Sequence, residues 1–154
     1  MSVSLASLRS PVTIADTGPL ATVETAHPFV GAAAVTIIVH RQSPQSSQAA
    51  AVRVQRLADQ LESFASSSAI VVAVIGGAPF TIDEIESFLA GSVGVDAIVG
   101  LPVDDLAASV FAGRAGVSER RLARLPLMKA IRDLALVAER SLTEVTGGLW
   151  RAAR

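Results

Sequence analysis

The side chain best placed to do chemistry in this sequence is the carboxylate of Asp16. It directly follows an apolar run at residues 11–15 and opens the motif Asp16-Thr17-Gly18-Pro19. Open α/β sheets bind their ligands at the carboxyl ends of their strands, and Asp16 would lie at such an end. Aspartate and glycine also end strands and form turns without any ligand. Taken alone, the motif favours the structural interpretation over a binding role.

A second candidate is the segment Gly100-Leu101-Pro102-Val103-Asp104, which follows an apolar run and precedes a helical pattern. At the carboxyl end of a strand, its backbone could approach a planar ligand closely. The alternative is that Asp104 caps the next helix, because an aspartate side chain accepts the free amides of a first helical turn. On isolated evidence this segment favours capping.

A phosphate-binding loop is the motif whose absence weighs most. Gly76-Gly77-Ala78-Pro79 lies between an apolar run and a helical pattern, but it matches neither G-x-G-x-x-G nor G-x-x-x-x-G-K-[ST]. The only lysine is Lys129, far from any glycine-rich turn between a strand and a helix. Phosphate groups are held by successive backbone amides, usually with the help of such a lysine. We therefore expect no nucleotide cofactor for the chain alone.

Other catalytic arrangements do not stand out. His27 and His40 are single histidines without a matching carboxylate or nucleophile nearby in the sequence. The chain has no cysteine, so it has no disulfide, thiolate nucleophile or zinc ribbon. We therefore expect no catalytic residues, and ATPase activity only if a missing N-terminal half completes the site.

Four short apolar runs predict the strands that would position these residues. They cover residues 11–15, 34–39, 69–75 and 95–99, and each is rich in Val and Ile and nearly continuous. Such runs are typical of strands buried on both faces, as in a parallel sheet covered by helices. Helical patterns alternate with the runs. The sequence therefore predicts an α/β fold with a mostly parallel sheet of about four strands.

The predicted helices are marked by capping residues. Ser43-Pro44 is predicted to open a helix that runs to about residue 65. Thr81 and Glu84 form a capping box for the next helix, whose predicted buried stripe is Ile82, Ile85, Phe88 and Leu89.

After Pro102 the pattern is helical only, with helices predicted at 104–111 and 126–146 and an end at Gly147-Gly148. We expect one α/β domain over residues 1–146, helical from about 103, and a tail at 147–154.

Charge is unevenly spread along the chain. Residues 1–113 hold four basic and ten acidic side chains, net −6, whereas residues 114–154 hold nine basic and four acidic, net +5. The basic part is best explained as a solvated helix face, and otherwise as a surface for an acidic partner. It carries no nucleic-acid recognition motif. Because no run reaches the ~20 apolar residues that span a bilayer, and no signal peptide pattern opens the chain, we expect a soluble, cytoplasmic protein.

Taken in chain order, these pieces resemble the later half of a MinD/ParA-type P-loop ATPase. The variant they resemble most is the actinobacterial group related to the pilus-assembly protein TadZ/CpaE. The matching segments are the second switch at 12–19, the helix and strand that follow it at 27–39, the adenine-pocket loop at 100–104, and the tail pieces at 111–114 and 125–127.

The resemblance implies roles for seven residues. Asp16, followed by Gly18 and Pro19 in the switch, would help to hold magnesium through water. Leu101, Pro102, Val103 and Asp104 would line the adenine pocket, with the first three facing the base. Two features depart from the family: the Walker A half is missing, and the strand before Gly76-Gly77 lacks the asparagine that many relatives use to contact adenine. ATP and magnesium are therefore expected only if a Walker A half completes the fold.

The missing half also has a consequence for the sheet. In the family, the Walker A strand lies beside the strand that ends in Asp16, so its removal would leave unpaired backbone groups. Three outcomes follow from the resemblance. The Asp16 strand could pair with residues 69–75, another chain could supply the missing strand, or the sequence could be part of a longer protein.

Together these observations predict an ATPase-like domain without a phosphate-binding loop, acting through protein–protein contacts in positioning or assembly. The settings implied are a pilus or secretion apparatus, a division site or a partition system. A protein partner or a second copy would bind the helical surface and the basic residues Arg120, Arg121, Arg124, Lys129 and Arg132.

Two alternatives remain open. One is a small-molecule or nucleotide-binding domain or enzyme, with a pocket at the strand ends formed by Asp16, Gly76, Gly77 and Asp104. The other is a membrane-surface module that uses the tail residues Leu149, Trp150, Arg151 and Arg154, which are too few for stable binding by themselves.

Overall fold

Strands and helices alternate along the chain as far as Leu101, and the rest is helical. A computed structural model describes residues 13–18, 30–42, 46–64, 68–90 and 94–152. Its elements are β1 (Val35–Arg41), α1 (Ser47–Phe64), β2 (Ala69–Ile75), α2 (Ile82–Leu89), β3 (Val95–Leu101), α3 (Asp105–Phe111), α4 (Glu119–Leu122) and α5 (Pro126–Ala152). The predicted α/β class and helical C-terminal part are confirmed.

The described strands form one parallel sheet in the order β1-β2-β3. The central strand β2 has the bounds that the sequence predicts, and all of its residues except Ile75 are buried. Continuous Val and Ile residues are needed there because both of its faces are covered. The two outer strands are less buried, as their single neighbours in the sheet dictate.

Helices cover the two faces of the sheet. Ile70, Val72 and Val74 of β2 pack into one buried cluster with residues of α1 and α2. Their neighbours Val71 and Ala73 are also fully buried but point to the other face, because successive side chains of a strand alternate. The helix α5 contacts all three strands, and it covers this second face.

The start of α1 differs from its prediction. The helix begins at Ser47, and the hydroxyl of Ser46 accepts the amide of Ala49 at 3.1 Å. Ser46 therefore supplies a capping oxygen for α1, whereas the predicted start at Ser43-Pro44 lies outside the described residues. A serine three residues before a free amide is the usual N-cap arrangement. Ser46 has this position, and it lies close to Ala50, the first buried residue of α1.

The capping box of α2 is confirmed. The amide of Glu84 donates to Thr81 Oγ1 at 3.2 Å, and the amide of Thr81 donates to Glu84 Oε2 at 2.7 Å. The amide and the hydroxyl of Thr81 both donate to Glu84 Oε2, and these two bonds lower the pKa of the Glu84 carboxyl because its ionised form is the better acceptor. The predicted buried stripe is only partly correct, since Ile85 and Leu89 are buried but Phe88 is 50% exposed.

The strand predicted at 11–15 is not formed over its described part. Residues 13–15 lie outside any strand and Ile14 is 91% exposed, while residues 11 and 12 lie outside the described part of the chain. Both sides of β2 are already taken by β1 and β3. The segment before Asp16 therefore does not pair with Ala69–Ile75, because that strand has no free edge to offer.

The last helix also runs further than predicted. The backbone stays helical through Gly147 and Gly148, and α5 ends at Ala152. Glycine in a helix costs roughly 1 kcal/mol relative to alanine but does not block the conformation. Within the described residues, no helix is long and apolar enough to cross a membrane.

Candidate functional site

The carboxyl edge of the sheet is where the sequence placed the candidate site. Each strand ends there in a polar or glycine-containing segment: Gln42 follows β1, Gly76 follows β2, and Pro102, Val103 and Asp104 follow β3. The structure brings these segments into contact. Gly76 donates its amide to the carbonyl of Leu101 at 2.9 Å, so the exits of β2 and β3 are joined directly.

Gln42 holds this edge together. Its Nε2 donates to the carbonyls of Gly76 and Phe80, both at 2.8 Å, and its Oε1 accepts the amide of Phe80 at 3.0 Å. The side chain is buried, so these partners take the place of water. Gln42 therefore ties the end of β1 to the whole segment between β2 and α2.

Gly76 is required by its backbone conformation. Its φ is +91°, in the left-handed region that side chains other than glycine rarely adopt. A Cβ built there would lie 3.7 Å from Val103 Cγ2 and 3.9 Å from Gln42 Cβ, which are ordinary contacts. Glycine is therefore required at position 76 by the backbone conformation. The space that a Cβ would occupy there is open enough for a small group.

The three residues that the resemblance assigns to the adenine base differ in their exposure to solvent. Leu101 is the last residue of β3 and is buried, so it belongs to the core rather than to an open loop. Pro102 is exposed, and Val103 is 61% exposed. Of the three, only these two are accessible to a ligand, and Val103 is the one beside Gly76.

Asp104 acts as a helix cap. Its Oδ1 accepts the amide of Ala107 at 2.9 Å in the first turn of α3. Its Oδ2 lies 3.5 Å from the amide of Leu127, in the first turn of α5. One carboxylate thus faces the starts of two helices, where a negative charge is favoured. The capping interpretation of Asp104 is confirmed.

Asp16 and Gly18 form a local turn in an exposed segment. The Oδ1 atom of Asp16 accepts the amide of Gly18 at 2.9 Å, and Gly18 has a φ of +72°. This bond is the kind that aspartate makes in turns without any ligand. Pro19 lies outside the described residues. The structural interpretation of Asp16 accounts for the geometry seen here.

No group of three or more metal-ligating side chains forms within the described residues.

The basic residues that the sequence proposes for a partner are all exposed: Arg120, Arg121, Arg124, Lys129 and Arg132. A groove of about 480 Å³ lies between α1 and α2; its lining includes Val54, Phe80, Asp83, Ile85 and Phe88.

His40 titrates in an unfavourable environment for its charged form. It lies on β1 on the same face as the buried Ile38 and is half-buried. Burial lowers the pKa of its imidazole below the usual 6.5, and the nearby positive charge of Arg53 lowers it further. His40 is therefore held neutral over a wider pH range than a solvated histidine.

The outer edge of β1 is the surface that sequence reasoning missed. The carbonyl of Ala34 accepts from Ala69, and the amide of Gln42 donates to the carbonyl of Ile75. Because backbone groups alternate along a strand, the even-numbered residues of β1 face β2. Val35, Ile37, Val39 and Arg41 therefore point their amides and carbonyls away from the sheet. Within the described residues, β1 has a strand on one side only.

The side chains of this edge are apolar and accessible. Ile37 is 44% and Val39 is 60% exposed, and both lie on the face of the sheet that α5 covers elsewhere. The pairing of β1 with β2 is regular over all seven residues, with no bulge. The strand contains neither proline nor lysine. Between Val35 and Val39, β1 thus has none of the prolines, charged side chains or bulges that often keep an edge strand from pairing with another chain; its one charged residue, Arg41, lies at the end.

Comparisons with protein-family models, with curated proteins and with solved structures give no match to this chain.

Proposed function

We propose that this chain is a MinD/ParA-like, ATPase-like domain without a phosphate-binding loop, and that it acts through protein–protein contacts. Its setting is positioning or assembly, at a pilus or secretion apparatus, a division site or a partition system. The pathway rests on the resemblance to the actinobacterial TadZ/CpaE-like group. The mode of action rests on the surface of β1.

The observation that carries the proposal is the free edge of β1. Within the described residues, Val35, Ile37, Val39 and Arg41 of this regular strand point their backbone groups to a side that has no neighbouring strand. Ile37 and Val39 add exposed apolar side chains. Sheet edges of this kind bind an additional strand, because main-chain hydrogen bonds supply affinity and alternate side chains supply specificity. A domain with such an edge is suited to contact with another polypeptide.

The carboxyl edge supports a non-catalytic role. Asp104 is engaged as a cap and Leu101 is part of the core. The only lysine, Lys129, is exposed on α5 and does not belong to the glycine-containing turn at Gly76. If a Walker A half in another polypeptide completes the fold, ATP and magnesium would bind across the two chains. The chain by itself would not bind them.

Calorimetric titration of the purified chain with magnesium-ATP and magnesium-ADP tests this proposal. We expect no saturable heat for either nucleotide. Saturable binding that Asp16→Ala abolishes would overturn the proposal, because it would mean that the switch carboxylate still serves a phosphate site. Asp133→Ala is the matched control, since it removes an exposed aspartate from α5.

A small-molecule or nucleotide-binding domain with a pocket at the strand ends is the second candidate. The observation that favours it is the accessible Val103 beside Gly76, where the backbone is open to a close approach. If the titration gives binding, Val103→Glu should weaken it at least tenfold, whereas Val52→Glu on α1 should leave it unchanged. Binding that survives Val103→Glu would place the ligand elsewhere.

Membrane contact through the tail is a separate possibility that vesicle co-sedimentation tests. The chain with and without residues 147–154 would be mixed with anionic vesicles. We expect neither form to sediment, because one short apolar segment gives little lasting membrane affinity. Sedimentation lost on truncation would assign the tail a membrane role.

A further inference from the structure

We propose that two copies of this chain join edge to edge through β1, in an antiparallel pair with a two-fold axis at Ile37. The two three-stranded sheets would then form one continuous sheet. This inference rests on the proposed function, since it names the partner of the same free edge. It does not require any nucleotide.

The backbone of β1 fits this arrangement. Val35, Ile37 and Val39 all direct their amides and carbonyls outward, as the bonds of Ala34 and Gln42 to β2 require. In an antiparallel pair, two residues that both point toward each other exchange two hydrogen bonds. An axis at Ile37 places Ile37 opposite Ile37, and Val35 opposite Val39 of the second copy. Every outward group of these three residues then has a partner.

The side chains of β1 are self-complementary about the same point. Valines at 35 and 39 flank Ile37 symmetrically, so apolar residues face apolar residues across the axis. The exposed parts of Ile37 and Val39 lie on one face of the strand. Pairing would bring them beside their counterparts, and apolar cross-strand pairs stabilise a sheet.

Charge favours the antiparallel direction. Arg41 is the one residue of β1 that is always ionised, and it lies at the end of the strand. In the antiparallel pair the two Arg41 residues would be about 27 Å apart, at about 3.4 Å per residue, which exceeds a Debye length of about 8 Å. A parallel pair would place them about 5 Å apart, where like charges repel.

The neighbouring antiparallel register is less suitable. With the axis at Ile38, Val35 would lie opposite Arg41 of the second copy, and Ile37 opposite Val39. One apolar residue at each end of the pair would then face a charge. The axis at Ile37 leaves His40 and Arg41 outside the paired core.

Disulfide trapping tests the register directly, because the natural chain contains no cysteine. In Ile37→Cys the two new thiols would lie on the axis, with Cα atoms about 5.5 Å apart, within the range a disulfide spans. We expect this variant to form a covalent dimer under mild oxidation. Val35→Cys and Val39→Cys, each alone, would hold their thiols about 14 Å apart and should not cross-link, whereas an equimolar mixture of the two should.

Solution mass tests the association without a covalent bond. We expect the natural chain to sediment as a dimer and Ile37→Lys to weaken its dimerisation at least tenfold, because an edge lysine blocks strand pairing. Val52→Lys is the matched control: Val52 is an exposed apolar residue on α1, and its variant should remain dimeric. Circular dichroism and urea unfolding of both variants establish that each is folded.

The outcomes separate this inference from the proposed function. A monomeric natural chain without cross-links, and without nucleotide binding, would overturn the dimer and leave an interaction domain whose strand partner is another protein. Cross-linking through Ile38→Cys in place of Ile37→Cys would overturn the register. Saturable magnesium-ATP binding sensitive to Asp16→Ala would overturn the proposed function, whatever the cross-links show.

Discussion

Gln42 offers the most direct test of how the carboxyl edge of the sheet is held. Its amide makes three hydrogen bonds to the segment between β2 and α2, at 2.8, 2.8 and 3.0 Å. The change Gln42→Ala removes all three at once. It also leaves the amide of Phe80 and the carbonyls of Gly76 and Phe80 without these partners in a part-buried location.

The expected loss of stability follows from those contacts. Each hydrogen bond contributes about 0.5–1.5 kcal/mol net, and an orphaned buried group costs about 1–3 kcal/mol when water cannot reach it. We expect Gln42→Ala to lower the free energy of unfolding by about 2–4 kcal/mol, out of roughly 5–15 kcal/mol for a typical domain. The loss should appear in the urea midpoint with little change in the slope.

The matched control is Gln55→Ala on α1. Gln55 is exposed and donates one hydrogen bond to Asp59 at 3.0 Å, so its removal should cost less than about 0.5 kcal/mol. Both variants make the same chemical change in different surroundings. If Gln42→Ala and Gln55→Ala lose the same stability within about 0.5 kcal/mol, the three hydrogen bonds of Gln42 have no special energetic role and the reasoning is refuted.

Gln42→Glu separates the donated bonds from the accepted one. The introduced carboxylate keeps an acceptor for the amide of Phe80, but it places an oxygen against the carbonyls of Gly76 and Phe80. We expect a larger loss than for Gln42→Ala near neutral pH. Stability should recover in part on acidification, because a protonated carboxyl donates again. A loss that is independent of pH would argue against donation to these carbonyls.

Two further predictions concern His40 and Asp96. Burial and Arg53 hold the His40 pKa below 6.5 in the folded state, so the unfolded chain binds the proton first and stability should fall as the pH drops below 6.5. Urea unfolding across that range should show this pH dependence, and His40→Gln should remove it. Asp96 accepts the amide of the buried Ile70 at 2.7 Å, where the register between β2 and β3 shifts; Asp96→Ala should cost about 1–3 kcal/mol in unfolding free energy, and Asp96→Asn, which keeps an acceptor oxygen, should cost less than half as much.

The sequence predicts β2 well because local and tertiary requirements agree there. Its continuous Val and Ile run suits a strand with both faces covered, and β2 is that strand. The same pattern misjudges β1, whose run also predicts burial on both faces although Ile37 and Val39 are exposed. Whether a strand is central or at an edge depends on its neighbours in the sheet. These neighbours cannot be inferred from the residues of the strand itself.

The capping residues show the same division. Thr81, Glu84 and Asp104 are predictable because each cap joins groups only three residues apart. Gln42 is not, because its partners lie 34 and 38 residues along the chain. The only sign of this role in the sequence is that Gln42 is a polar residue directly after an apolar strand. Its hydrogen-bond partners can be identified only once the fold has brought the ends of β1 and β2 together.

Three residues of the segment at 100–104, which resembles an adenine-pocket loop, can be explained without a nucleotide. A Cβ at Gly100 would come within 3.0 and 3.1 Å of the Ile82 side chain, so glycine there relieves a contact with α2. Leu101 fills the core, and Asp104 caps α3 beside the start of α5. Selection for stability alone would therefore retain these three residues. Pro102 and Val103 are exposed and have no such structural role. Val103 lies beside Gly76, and it is the position at which a ligand-binding role and a purely structural one give different results on substitution.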